Sequence, residues 1–172
     1  MTVSPVPGIP VDRREEKRKI GLLAFLASAS MLFASFTAAL LVRRTGADWQ
    51  PLPMPPVLWL SSGLILASSV TFEWGRRRGR ESALLGTRLL GLFFLTSQGI
   101  AIVGIVGSSG GLAGNPHASF IFVLLGVHAI HLLGGLIALG LCHLGSPRFD
   151  WVGTYWHFVG LVWFYVLLIL FV

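Results

Sequence analysis

Three histidines, His128, His131 and His157, lie in long stretches without a charged residue. An imidazole in such surroundings is a natural ligand for haem or a metal ion. His128 and His131 are three apart, so on a helix they share a face. A bis-histidine haem needs two imidazoles on opposite sides of one ring at matched depth, which two residues of one face cannot supply to each other. Either could pair with His157, but the helical rise leaves their depths mismatched by about 5 Å. Copper or zinc would need a further ligand, and no carboxylate or thiolate falls at that depth. The alternative is that neutral imidazoles hydrogen-bond to neighbouring helices and fix their packing. On that reading the chain has no catalytic, cofactor-binding or metal-binding residue of its own.

The remaining polar residues point the same way. Glu73 is the one acid at the edge of an apolar run, with Arg76 and Arg77 three and four residues on. An acid placed N-terminal to its bases makes a favourable helix pair, so Glu73 reads as an interfacial ion pair, with an inner-face proton group as the alternative. Gln98, beside Thr96 and Ser97, is expected to hydrogen-bond between helices. Ion-coupled transporters and proton pumps usually carry a buried Asp, Glu or Lys near mid-membrane. None is placed there in this sequence, which argues against catalysis or transport by the chain alone. Nucleotide loops, zinc signatures and nucleophile elbows are missing from the sequence. The single cysteine, Cys142, excludes an internal disulfide.

The elements that must carry these residues follow from charge distribution. Only twenty of 172 residues are charged, or 12%, about half the share in a soluble domain. Residues 20–42, 49–72, 89–147 and 151–172 have none. With a mean hydropathy of +0.78, this excludes a soluble enzyme, a disordered chain and a disulfide scaffold. A hydrocarbon core of about 30 Å takes roughly 20 helical residues. The apolar runs therefore predict an all-α, five-helix membrane bundle with spans near 20–42, 56–74, 85–106, 118–142 and 151–172. The prolines of 51–56 lead into the second span, and the Gly-rich stretch 107–116 divides the third from the fourth. Residues 1–19 read as an N-terminal arm, flexible over its first dozen residues.

Basic residues set orientation. Eleven of the thirteen Lys and Arg fall on one side if the N-terminus is cytoplasmic, leaving Arg43 and Arg44 on the other. The C-terminus is then periplasmic. Trp49, Trp59, Trp74 and Trp151 fall near span ends, as interfacial residues should. The high pI reflects these flanking charges and calls for no nucleic-acid partner. Small residues recur in every span and permit close helix approach.

The last two spans carry more specific signals. Gly126-Val-His-Ala-Ile-His131 followed by Gly134-Gly135, then Tyr155-Trp156-His157-Phe-Val159 and Trp163, resemble the closing helices of subunit III of haem-copper oxidases. Pro56-Val-Leu-Trp59-Leu-Ser-Ser62 with Ser68-Ser-Val-Thr71 is similar to that family's second-span pattern here, as is Phe25-Leu-Ala-Ser28 with Met31-Leu-Phe33 in the first span. The resemblance covers roughly residues 20–172 in order. It implies an accessory subunit without haem or copper, those groups lying on partner subunits. Such a chain packs against catalytic subunit I, with subunit II or other respiratory subunits nearby, binds phospholipid and supports proton uptake. It further implies the short bacterial form, in the inner membrane. His128, His131, Trp156, His157, Trp59 and Gln98 then count as motif and helix-packing residues.

The departures are informative. The family's membrane acids correspond to Ala29, Ala101 and Gly160 here, its second glycine between the histidines is Ala129, and its Asn-Thr pair is Ser61-Ser62. Three absent carboxylates weaken a proton-relay role inside the membrane and leave packing and lipid contact untouched. Alternatives are an accessory subunit of a nitric oxide reductase, a small b-type cytochrome anchor using His128 or His131 with His157, and a small channel or transporter.

Overall fold

A computed structural model describes residues 13–109, 115–146 and 148–171. It contains five α-helices: α1 (Arg13–Arg43), α2 (Val57–Arg78), α3 (Glu81–Ser108), α4 (Pro116–Gly140) and α5 (Phe149–Phe171). No strand occurs among the described residues. All five are long and apolar enough to cross a membrane, so this is a multi-pass membrane protein.

Local sequence explains the boundaries. The prolines at 51, 53, 55 and 56 keep the chain out of helix until Val57. Gly79 stops α2 in the left-handed region (φ +61°), and its N–H bonds the Gly75 carbonyl. Two residues then suffice to turn into α3. Asn115 caps α4, its side-chain oxygen accepting the His117 N–H at 2.9 Å, with Pro116 opening the first turn.

The helices overrun the expected spans at their charged ends. The arm assigned to 1–19 is helical from Arg13, and residues 1–12 lie outside the described residues. α2 likewise continues to Arg78, and α3 starts at Glu81. Hydropathy detects only the part that must sit in lipid. Arg, Lys and Glu are good helix formers and prolong the same helix into water. Of the glycine-rich break, Gly107 and Ser108 end α3, Asn115 and Pro116 begin α4, and 110–114 lie outside the described residues.

α2, α3, α4 and α5 form a ring in which each touches two ring neighbours, and α1 lies outside it against α4 and α5. α1 is peripheral: 22% of its most apolar stretch is buried, against 50% for α5. Two tryptophans of α5, seven residues apart and fully buried, fill the ring. Trp156 enters where Gly91 of α3 and Gly135 of α4 leave room; a Cβ on Gly91 would meet its Cη2 at 2.7 Å. Trp163 stands edge-on to Phe94, with ring centroids 5.0 Å apart, and its Nε1 donates to Ser62 Oγ at 3.0 Å. α1 is held by Phe33 against His128 and His131, and by Tyr165 donating to Thr37 Oγ1 at 2.8 Å.

Contacts between helix ends give the topology. Lys19 lies over the Trp151 ring, Arg76 reaches Asp150, and Arg88 reaches the end of α4, so one end of the bundle collects most of the basic residues. Trp49 on His117 and Trp59 on Phe171 mark the other end.

Gly91→Ala must displace Trp156 or Leu136, and is expected to destabilise the bundle by about 1–3 kcal/mol. Gly99→Ala, which meets nothing within 4 Å, should fall within about 0.5 kcal/mol of the parent. Unfolding in mixed micelles titrated with denaturing detergent compares the two.

Candidate functional site

The sequence-predicted residues divide among three places. In the ring interior, His128 is fully buried, with its ring 5.7 Å from Phe94, 5.5 Å from Trp163 and 6.4 Å from Phe33 between centroids. Gln98 and Trp156 are buried as deeply. The polar atoms of these three side chains have no hydrogen-bond partner among the described residues. One turn away, half-buried His131 donates from Nδ1 to the Val127 carbonyl of its own helix at 2.8 Å, and its ring faces Phe25 and Phe33. Tyr155 OH donates to the His131 carbonyl at 2.8 Å.

The bonds between helices expected of the histidines and Gln98 are made by other side chains. Ser61 and Ser97 hydroxyls meet at 2.7 Å, Thr71 and Thr87 at 3.1 Å, and Trp163 reaches Ser62. Short hydroxyls span the close helix approach, whereas the His128 ring is wedged among aromatic faces. The histidines contribute ring packing instead.

At the basic end, exposed His157 packs edge-on to Phe72, with centroids 5.7 Å apart. It lines a cavity of about 260 Å³ with Glu73, Arg76 and Asp150. Glu73 accepts from Arg76 Nε at 2.8 Å and Nη2 at 2.9 Å, and from Arg77 Nε at 2.6 Å. Arg76 also lies 3.8 Å from Asp150 of α5. These exposed pairs add little stability, but they gather acid, base and imidazole at one surface. His128 and His157 thus occupy separate surroundings and share no ring-sized gap, so the haem-anchor geometry finds no support. No cluster of three metal-ligating side chains occurs among the described residues. Trp59, 63% exposed, packs against Phe171 at the far end.

The three positions where the resemblance implies acids are core positions. Ala29 is 4% exposed and Ala101 1%. A Cβ on Gly160 would be in ordinary contact with Ser69 Oγ and Ile65. Apolar neighbours have closed around each of them.

Several working residues are not distinguished by sequence pattern alone. Arg88, read only as an orienting charge, donates from Nε and Nη2 to the Leu139 carbonyl at 3.1 and 2.6 Å, and from Nη2 to the Cys142 carbonyl at 2.8 Å. It thereby satisfies the otherwise orphaned C-terminus of α4. Its place at the head of a 59-residue uncharged run was the available signal. Asn115, His117 and Tyr165 likewise make long-range bonds that spacing does not foretell.

No family profile matches the chain. Individual proteins do. A probable cytochrome c oxidase subunit 3 of Nocardia farcinica is 28% identical over 84% of this chain and 82% of its own length. Cytochrome c oxidase subunit 3 of Artemia franciscana is 30% identical over 86% of this chain and 66% of its own, and that of Loxodonta africana 28% over 90% and 69%. The chain thus spans about two thirds of these animal relatives. An all-helical membrane bundle of accessory type is the class defined by fold and site. Within that class, the chain belongs to the subunit III family of haem-copper oxidases.

Arg88→Leu removes a charged donor from two carbonyls and should cost about 2 kcal/mol, with Arg88→Lys recovering part of it. Unfolding midpoints and hydrogen exchange at Leu141–His143 read the loss.

Proposed function

We propose that the chain is the non-catalytic subunit III of a respiratory terminal oxidase in a bacterial inner membrane. It packs against the haem- and copper-bearing subunit I, beside subunit II, and sustains the oxidase during aerobic electron transport. The N-terminus is cytoplasmic, so the basic end faces the side from which protons are taken up. The observation that carries this reading is the pair of α4 and α5 motifs, whose glycines and tryptophans build the ring while leaving no cofactor site in it. Proton uptake is supported by the surface cluster of Glu73, Asp150 and His157. Its members can exchange protons with water and lie outside the buried core.

Lipid binding has a structural basis of its own. A groove of about 470 Å³ between α1, α4 and α5 is walled by Phe25, Gly134, Ala138 and Tyr155, with Arg18, Arg148 and Trp151 at its basic end. Apolar walls beneath two guanidinium groups suit a phospholipid whose phosphate lies at the inner surface.

Removing the chain should leave an oxidase that keeps its haem spectrum but loses activity progressively during turnover. In the complete complex, Glu73→Gln should keep steady-state turnover within about twofold, because neighbouring groups share proton exchange. A tenfold loss at unchanged assembly would make Glu73 the essential proton-uptake group. Oxygen consumption by the purified complex is the measurement.

A further inference from the structure

The end of the bundle opposite the basic cluster holds a second cavity, of about 350 Å³. It is built by a strap. Gln50 O accepts from Asn115 Nδ2 at 3.0 Å, the Leu52 N–H donates to His117 Nδ1 at 3.0 Å, and the Trp49 ring lies 4.7 Å from the His117 ring between centroids. Together these contacts fix the imidazole, which is only 7% exposed. Because Nδ1 accepts, the neutral ring carries its proton on Nε2. That N–H has no acceptor among the described residues and is not among the sealed polar atoms. His117 lines the cavity together with Arg44, over an apolar floor of Leu40, Ile169, Leu170 and Phe171. No carboxylate is in the lining. The nearby Asp48 is engaged by Arg43, with one bond of 2.7 Å, which holds its carboxyl below the usual range.

We infer that this cavity binds a phosphate group, carried by a membrane phospholipid whose acyl chain lies on the apolar floor. Arg44 and the His117 Nε2–H offer only donors, so the partner must be an acceptor, and a guanidinium favours an anionic one. The floor continues onto the membrane-facing end of α5, where an inorganic ion would leave apolar surface uncovered. The cavity lies at the far end of the bundle from the groove of Arg18 and Arg148. Its occupancy does not depend on which oxidase the chain joins.

The test titrates the full chain in detergent with short-chain phosphatidylglycerol and, separately, with inorganic phosphate. The readout is the part of the tryptophan fluorescence that disappears in Trp49→Phe. A saturable change with the lipid is expected, weakened about tenfold in His117→Asn and in Arg44→Gln and unaltered in Arg78→Gln. His117→Asn retains an acceptor for the Leu52 N–H and removes the Nε2 donor. Circular dichroism of both variants separates lost binding from lost folding. Equal saturation by inorganic phosphate supports the phosphate site and assigns it to the free ion. No saturable change with either probe, or undiminished binding by both folded variants, overturns the proposal.

Discussion

The insertion of Trp156 and Trp163 into the ring of α2–α5 is the contact on which the rest of the bundle depends. In lipid, burying an apolar side chain gains no hydrophobic free energy over leaving it in contact with acyl chains, so association relies on close packing and on hydrogen bonds. Two large flat rings filling one channel supply many such contacts at once. They also dictate their neighbours. Gly91 and Gly135 must lack side chains for Trp156 to enter, Ser62 must offer an oxygen to Trp163, and Phe94 and His128 must present faces or edges at the right height. The recurrence of small residues along the spans follows from this packing requirement.

Polar chemistry is correspondingly pushed to the ends. Carboxylates among the described residues lie at helix ends or in connecting segments, and guanidinium groups bind acids, aromatic faces or helix-terminal carbonyls. The interior keeps hydroxyls, an amide and imidazole, which can remain neutral in low dielectric. Ala29, Ala101 and Gly160 continue that pattern where the wider family has acids. An accessory subunit built this way acts through what it touches and through its surfaces, consistent with a haem-bearing partner that performs the redox chemistry.

Span number and order were legible in the sequence because a membrane sets a single length scale that uncharged runs must meet. The Tyr155-Trp156-His157 and Gly126–His131 motifs were legible as packing elements because their residue types are unusual in lipid. The extension of α1 to Arg13 was not, since hydropathy is blind to a helix that continues into water. The roles of Arg88 and His117 were also hidden. Each bonds a carbonyl or amide more than fifty residues away, and only the completed ring brings those groups together. Gln98 was visible as a buried polar residue, but its expected bonds went to serines and threonines, whose short side chains better match the helix spacing.

The most direct test of the account is affinity purification of the chain from its native membranes in mild detergent, followed by an optical spectrum and peptide identification. The account predicts one copy of the chain with a large multi-span partner of subunit I type that carries all the haem. A chain that purifies alone with haem bound to its own histidines would contradict it, as would a colourless chain without a respiratory partner.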